Sequence, residues 1–254
     1  LRQPEKRASV SEAAVLDDPV TIILSDKGWL RQRQGHGVDI AALSFKEGDM
    51  LFAAIECRSP DPLILLASDG RSYNVSASQI PGGKGDGVPT GSLVSLAAGT
   101  KIVCLMTGQP EDRVLLANSG GYGFVATIAD MITRQKAGKL LMTLEAGEHV
   151  LPPARIAQGG AQRYVACVSS ADKLLVFPLA ELKEMAKGRG VILMGLGDKE
   201  TLKLTCVFTD TLTMRGVRRG RTIEEAPPFE VAKRARKGNA VNLKVEALSA
   251  AGGK

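Results

Sequence analysis

The stretch VLLANSGGYGFV, residues 114–125, contains the pattern that decides the fold. A short apolar run ends in a serine, a small polar turn follows, and a second run of strand-forming residues begins at once. Apolar runs of this length, bounded by Gly, Asn and Ser, are typical of strands joined as β-hairpins. The stretch therefore predicts two antiparallel strands connected by a tight turn.

The same pattern occurs three more times along the chain. The other copies are VTIILSDKGWL from Val20, LILLASDGRSY from Leu63 and YVACVSSADKLLVF from Tyr164. The serines of the four copies lie 43, 51 and 50 residues apart, at Ser25, Ser68, Ser119 and Ser169. A regular repeat of this length indicates a structure built from equivalent units that bury their apolar faces against each other.

Two further landmarks follow each hairpin. The first is a basic loop that contains glycine, found as RQRQGHG (31–37), GGKGDG (82–87), RQKAGK (134–139), KGRG (187–190) and KRARKGN (233–239). The second is a glycine turn between two strand-like runs, at Gly48, Gly99 and Gly147, with Gly197 as the candidate for a fourth. Four short strands per unit, repeated five times over residues 20–248, predict an all-β disc of the propeller type.

The fifth unit and the two ends of the chain fit the repeat least well. LTMRGVRRGRTIEEAPPFEV stands where the other units have an apolar run, a serine and a clean turn. We therefore expect five four-stranded blades and leave open whether their ring is closed or open. Residues 1–19 are interpreted as a linker and residues 249–254 as a flexible tail. Short helical turns are expected in ADMITRQKAG and PLAELKEMAKG.

Composition narrows the possible functions. The net charge of +6 is a weak indication of a nucleic-acid partner. No apolar run approaches the roughly 18 residues of a membrane helix, so membrane insertion is not expected. The four cysteines stand far apart in apolar runs and predict buried free thiols in a cytoplasmic protein. The only histidines, His36 and His149, lack a ligand pattern, so neither a metal site nor a catalytic residue is expected.

The distribution of the positive charge is more informative than its size. Equivalent positions of a repeat protein fall on one surface, so the five basic loops are expected to form a single positive rim. Phosphate contacts from this rim would hold duplex DNA without reading its sequence, and the glycines would let the backbone approach the ligand. The candidate DNA-binding residues are Arg31, Arg33, His36, Lys84, Arg134, Lys136, Lys139, Lys187, Arg189, Arg218, Arg219, Arg221, Lys233, Arg234, Arg236 and Lys237.

These units resemble a known family. Hairpins followed by basic glycine loops are similar to the C-terminal domain of the A subunits of bacterial type II topoisomerases, over residues 20–248. ILSDKGWLRQRQGHG, ASDGRSYNV, GGYGFVATIADMITRQKAGK and HVLPPARI resemble the topoisomerase IV branch more than the gyrase branch. Gyrase A subunits carry an intact seven-residue basic box, of which residues 31–37 keep only Arg33, Gly35 and Gly37.

The resemblance implies a five-bladed β-pinwheel, a propeller-like disc whose neighbouring blades exchange strands. It also implies a non-catalytic domain that binds and bends the transported duplex, within a cytoplasmic, nucleoid-associated bacterial enzyme that decatenates and relaxes DNA. The whole enzyme would bind ATP on its B subunit, with magnesium at its cleavage site, whereas this segment would need no cofactor. The implied partners are duplex DNA, the B subunit of topoisomerase IV, plus a second A subunit, reached through the N-terminal breakage-reunion region to which residues 1–19 would be the linker.

Three alternatives stay open. The first is a gyrase-type domain that wraps DNA, and the second is a protein-interaction propeller whose rim charges are incidental. The third is an enzyme with its site in the central channel, which would need polar or metal-binding residues recurring on the inner strands. The sequence shows no such recurrence. An aromatic content of 4% also argues against a platform that stacks single-stranded bases.

Overall fold

The computed structural model describes residues 17–161 and 163–250. In chain order the strands are β1 (Pro19–Ser25), β2 (Trp29–Gln34), β3 (Leu51–Arg58), β4 (Pro62–Ala67), β5 (Arg71–Ser76), β6 (Val88–Pro89), β7 (Ile102–Met106), β8 (Arg113–Ala117), β9 (Tyr122–Thr127), β10 (Lys139–Leu140), β11 (Ala154–Ile156), β12 (Tyr164–Ser169), β13 (Lys173–Pro178), β14 (Val191–Ile192), β15 (Leu202–Phe208), β16 (Leu212–Arg218), β17 (Arg221–Glu225), β18 (Asn239–Ala240) and β19 (Lys244–Ala250). The helices are single turns, α1 (Thr90–Leu93) and α2 (Ile128–Met131), with 3-10 turns at Ile40–Ala42, Ala77–Gln79 and Leu179–Glu181. No helix in these residues is long and apolar enough to cross a membrane.

The strands form five antiparallel blades in a ring, so the predicted propeller-like disc is confirmed. Blades 1 to 4 have the strand orders β3-β1-β2-β6, β10-β5-β4-β7, β11-β8-β9-β14 and β15-β12-β13-β18. Blade 5 has three strands in the described residues, in the order β17-β16-β19.

Neighbouring blades exchange strands, as the β-pinwheel expectation requires. The fourth strand of each of blades 1 to 4 comes from the next unit of the chain. Strand β6 follows β5 of blade 2 in sequence but pairs with β2 of blade 1. Strands β10, β14 and β18 make the equivalent pairings with β5, β9 and β13. In the described residues, blade 5 pairs with no exchanged strand.

The repeat serines hold either the hairpin turn or the chain beside the following glycine turn. The hydroxyl oxygen of Ser25 accepts a hydrogen bond from the amide of Trp29 at 3.0 Å, and that of Ser119 accepts one from the amide of His149 at 3.0 Å. The fourth glycine turn is displaced from its expected position at Gly197. The left-handed residue there is Lys199, with φ 57°, while the carbonyl of Gly197 accepts the amide of Glu200.

The apolar core lies between successive blades rather than within them. Four clusters of buried residues each join one blade to the next, through pairs such as Leu24 with Leu65, Leu66 with Leu116, Leu115 with Cys167 and Val168 with Met214. Among the described residues no such cluster joins blade 5 to blade 1.

The cysteines are free thiols, as predicted, and three of the four are buried. Burial raises the pKa of Cys57 to about 11, which keeps this thiol protonated and unreactive at neutral pH.

The structure extends the repeat slightly beyond its expected bounds. Strand β1 begins at Pro19, and β19 continues to Ala250, so the first two residues of the expected tail 249–254 belong to a strand. Residues 1–16 of the expected linker and residues 251–254 lie outside the described residues.

Candidate nucleic-acid interface

Four segments on the outer edge of blades 1 to 4 occupy equivalent places. Each leaves the second strand of one unit, crosses to the preceding blade and ends just before the exchanged strand. We call these segments rim arms 1 to 4, formed by residues 77–87, 128–138, 179–190 and 226–238. They contain four of the five basic loops found in the sequence, two of which continue for one residue into the exchanged strand.

Each rim arm ends in a glycine that packs against the backbone of the preceding blade. These latch glycines all have left-handed φ values, between 71° and 93°, and are Gly87, Gly138, Gly190 and Gly238. A Cβ on Gly87 would lie 2.0 Å from the carbonyl oxygen of Leu30, and one on Gly190 would lie 2.1 Å from that of Gly123. Glycine is therefore needed here for close backbone packing, and the approach to a ligand expected for the loop glycines stays a prediction.

Backbone hydrogen bonds hold the rim arms from both sides. After each exchanged strand, one amide donates to the carbonyl of the hairpin turn of the preceding blade, as Leu141 does to Gly70 at 2.9 Å. In rim arms 2 to 4, the carbonyl two residues before the latch also accepts an amide from the chain that follows the previous exchanged strand. The carbonyl of Lys136, for example, accepts the amide of Ser95 at 2.8 Å. The basic loops are therefore held in place before any ligand arrives.

Seven cations close to the latch glycines are exposed, and their side chains have no hydrogen-bond or ion-pair partner among the described residues. They lie one to five residues before the latch glycine of their own arm, and are Lys84, Arg134, Lys136, Lys187, Lys233, Arg236 and Lys237. The shared outer edge expected from the repeat is present for these seven residues. Their contact with DNA stays a prediction.

The rim arms differ in the charge that they carry near the latch. In rim arm 1, Lys84 is the only cation of its loop and Asp86 the only acid, so residues 82–87 carry no net charge. Rim arm 2 has two of the seven free cations and rim arm 4 has three, whereas rim arm 3 has only Lys187. The positive potential is therefore expected to be strongest along rim arms 2 and 4.

Arg31 was expected on the rim, and this placement is wrong. Arg31 is only 3% exposed, because the segment that follows β2 folds over it. Its Nη2 donates to the carbonyl of Ser44 at 2.6 Å, and its guanidinium lies 4.8 Å from the centroid of the Phe45 ring. Burial lowers the pKa of Arg31. Arg33, on the same face of β2, is half-buried and donates to the carbonyl of Gly83, which ties β2 to rim arm 1.

Three further candidates fasten the rim arms or the exchanged strand after them and are not free cations. Lys139 donates from Nζ to the carbonyl of Asp130 at 2.7 Å. Arg189 pairs with Glu145 and with Glu148, the latter at 2.6 Å, and lies 4.0 Å from the centroid of the Tyr122 ring. Arg234 is half-buried and donates to the carbonyl of Ile192 at 2.6 Å. The partners of Arg189 and Arg234 lie more than 40 residues away in the sequence, which no local pattern reveals.

The remaining candidates lie off the rim arms. His36 is exposed, but its Nε2 lies 2.9 Å from the carbonyl oxygen of Cys57. Arg218, Arg219 and Arg221 belong to the hairpin that joins β16 and β17 of blade 5, and not to an arm. The guanidinium of Arg218 donates two hydrogen bonds to the carboxylate of Glu225, which raises the pKa of the arginine. Arg219 and Arg221 are exposed.

Comparison with known proteins identifies the family. Residues 163–203 match the family model described as the DNA gyrase C-terminal domain, a β-propeller. Over 242 residues the chain is 41% identical to the A subunit of DNA topoisomerase 4 from Neisseria gonorrhoeae, a match that covers 91% of this chain and 31% of the relative. The chain is therefore similar to the gyrase A C-terminal domain family and to the A subunit of DNA topoisomerase 4. The resemblance predicted from the sequence is thus confirmed.

Two further relatives show how far the similarity of this gyrase A-type domain extends. It is 33% identical over 204 residues to the A subunit of DNA topoisomerase 4 from Escherichia coli K12, covering 80% of this chain and 27% of the relative. The structure of the E. coli ParC C-terminal domain matches with a TM-score of 0.81 and 28% identity, covering 91% of this chain and 98% of that one. The chain spans less than a third of the length of the curated relatives it matches.

One basic loop of this gyrase A-type domain is not part of the rim. Gly35-His36-Gly37-Val38 matches Gly85-Asp86-Gly87-Val88, but Gly37 follows the end of β2 at Gln34 by only three residues. In the rim arms this spacer has 11 to 13 residues. The short spacer keeps the motif on its own blade, where the amide of Gly35 donates to the carbonyl of Pro19 at 2.8 Å. The five equivalent loops expected from the sequence are therefore four, and the spacer length was the signal available for this.

Proposed function

We propose that this chain is a non-catalytic DNA-binding domain from the A subunit of a topoisomerase IV, and that it holds and bends the transported duplex along the rim arms. The observation that carries the proposal is the set of seven exposed, unpaired cations at equivalent places on four successive arms. Lysine and arginine on a curved edge contact phosphates and provide affinity without sequence reading.

The arrangement supports bending in particular. A bend of 40–90° over a short site costs roughly 1–6 kcal/mol, which a series of phosphate contacts along a convex edge offsets. Because the arms are held by backbone hydrogen bonds, little ordering is needed on binding. The weak charge of rim arm 1, together with the shortened first copy, favours a bend over the long wrap of a gyrase-type domain.

The role of the whole protein is part of the same proposal. The complete enzyme would be an ATP-dependent type II topoisomerase that decatenates and relaxes DNA at the bacterial nucleoid, in the cytoplasm. Its ATP would bind on the B subunit, with magnesium at the cleavage site, so this domain would need neither cofactor nor catalytic residue. The B subunit, together with a second A subunit, would join through a region outside this chain.

A salt titration with random-sequence duplex DNA tests the proposal. Affinity should fall steeply with salt, with a slope of about −0.9 for each phosphate neutralised. The double variant Arg134→Glu, Lys136→Glu should bind all sequences more weakly and show a shallower slope. The matched control is Lys101→Glu, Lys244→Glu, which reverses two exposed cations off the rim arms. Absence of binding at low salt, or equal weakening by the control, would leave the protein-interaction alternative as the better interpretation.

A further inference from the structure

A second cationic site lies where strands of blades 3 and 4 begin and end. Its cavity, of about 410 Å³, is lined by three arginines, Arg113, Arg155 and Arg163, together with Asp112 and Gln158. A neighbouring cavity of about 380 Å³ shares Arg113 and Arg163 as walls. None of the seven exposed rim cations lines either cavity.

Arg163 is the central feature of this site because its charge is buried without a counter-ion. The residue is 9% exposed and forms one side-chain hydrogen bond, from Nη2 to the carbonyl of Gly159 at 2.9 Å. Its Nε is buried and has no partner, and no carboxylate of the described residues lies within 4.0 Å of its guanidinium. Buried charges are normally paired, since an unpaired one is costly to keep away from water.

The other charged groups leave the cavity net positive. Arg155 is exposed and donates from Nη2 to the carbonyl of Thr107 at 2.5 Å. Arg113 donates to Glu184 at 2.7 Å, and Glu184 lines the neighbouring cavity. Asp112 is the only carboxylate that lines the 410 Å³ cavity in the described residues. Its two oxygens already accept the amide of Gln109 at 2.8 Å and Nε2 of Gln158 at 2.6 Å.

We propose that this cavity binds an oxyanion of the phosphate class, held by Arg155 and Arg163. Guanidinium groups match phosphate oxygens with paired, charge-assisted hydrogen bonds. The loop beside Arg163 leaves room for such a group, since a Cβ on Gly160 would meet nothing within 4 Å. Two sources provide this chemistry, a free phosphate compound and a phosphate of the DNA backbone. The site is independent of the rim arms and does not require their proposed role.

Thermal unfolding of the whole chain in inorganic phosphate, against chloride at the same ionic strength, tests the proposal. A ligand that binds only the folded state raises Tm in a saturable way. The wild type should show this rise, Arg163→Met should lose it, and Arg155→Gln should need roughly tenfold more phosphate, as expected for one lost charged hydrogen bond. Arg215→Gln, at an exposed arginine of blade 5 outside the DNA-binding candidates, is the matched control and should respond as the wild type does.

The outcomes separate this site from the rim and the two sources from each other. An equal phosphate response in all four proteins, or none in the wild type, overturns the proposal. If Arg163→Met does not fold, broadening of the phosphorus NMR signal of inorganic phosphate by Arg155→Gln, compared with the wild type, decides the question. Weaker duplex binding by Arg155→Gln than by Arg215→Gln assigns the site to a backbone phosphate, and unchanged duplex binding assigns it to a free phosphate compound. The rim variant Arg134→Glu, Lys136→Glu should keep the phosphate response even if it loses DNA.

Discussion

Two copies of one motif have different roles in this molecule. The last glycine of Gly35-His36-Gly37-Val38 and that of Gly85-Asp86-Gly87-Val88 both have left-handed φ values, 69° and 93°. A Cβ on Gly37 would meet nothing within 4 Å, whereas one on Gly87 would lie 2.0 Å from the carbonyl oxygen of Leu30. The difference comes from the chain before the motif, which is too short in the first copy to reach another blade. The length of the arm, and not the motif, decides whether a basic loop joins the rim.

The same difference in spacer length affects the junction between blade 5 and blade 1. Each of the four other junctions between neighbouring blades is crossed by an exchanged strand. The first unit has no arm to send toward blade 5, which keeps three strands in the described residues. A shorter spacer in one unit therefore changes both the charge of the rim and the way the blades are connected.

Replacement of Gly87 and of Gly37 by alanine should give the largest difference between the two copies of the motif, measured as lost unfolding free energy. Gly87→Ala adds a clash with the carbonyl of Leu30 to the strain of a left-handed alanine, and should cost about 3 kcal/mol of unfolding free energy or more. Gly37→Ala adds only the strain, about 1–2 kcal/mol. Urea unfolding of both variants measures the difference. Equal losses would show that Gly87 is needed for its φ alone and that the latch contact contributes nothing.

Charge reversal in rim arms 4 and 1 should show how much each arm contributes to duplex affinity. Arg236→Glu, Lys237→Glu in rim arm 4 removes two free cations, and each lost phosphate contact is worth about 1.5 kcal/mol, or roughly tenfold in affinity. We expect about a hundredfold weaker duplex binding at moderate salt. Lys84→Glu in rim arm 1 should weaken duplex binding only about threefold, because it changes one cation in a loop that already carries no net charge. Fluorescence anisotropy with one labelled duplex compares them, and equal effects would contradict the ranking of the arms.

The sequence predicted what depends on local pattern. Apolar runs, serines and glycine turns recur along the chain, so five units and their hairpins could be found without a structure. The free cations of the rim arms could also be predicted from the sequence, because loop residues such as Lys136 and Lys187 are not part of a strand that packs against the core. The failures depend on distant partners. Arg31 is covered by Ser44 and Phe45, and Arg189 is neutralised by two glutamates of the glycine turn at Gly147.

Truncation to alanine should destabilise the protein much more at Arg31 than at an exposed arginine of blade 5. Arg31→Ala removes a buried side chain with its hydrogen bond and its ring contact, and should cost about 2 kcal/mol of unfolding free energy. Arg221→Ala, at an exposed position, should cost less than about 0.5 kcal/mol. The salt dependence of duplex binding should stay unchanged in Arg31→Ala. A stable Arg31→Ala variant with a shallower salt slope would return this residue to the DNA-binding set.

The smallest predicted effect is a difference between the repeat serines of blades 3 and 4 in how their contribution to stability depends on pH. The hydroxyl of Ser169 donates to Glu200, and this hydrogen bond is the main reason why the pKa of Glu200 lies below its ordinary value of 4.5. A carboxylate with a lowered folded pKa stabilises the fold above its unfolded pKa, and this contribution is lost as pH falls through the folded pKa. Ser169→Ala should therefore lose about 1–2 kcal/mol of unfolding free energy at pH 7 and a smaller amount below about pH 4.

Ser119→Ala is the matched control for this pH dependence. The hydroxyl oxygen of Ser119 accepts the amide of His149 at the equivalent place in blade 3. Because that bond involves no carboxylate, its loss should cost about 1 kcal/mol at every pH where the protein folds. Urea unfolding of the wild type and both variants at about pH 7, 5 and 3.5 gives the comparison. If the deficit of Ser169→Ala stayed constant with pH, the low pKa of Glu200 would have to come from its other oxygen, which accepts the amide of Gly197 at 2.7 Å and lies 3.2 Å from Nζ of Lys173. The two serines would then act alike.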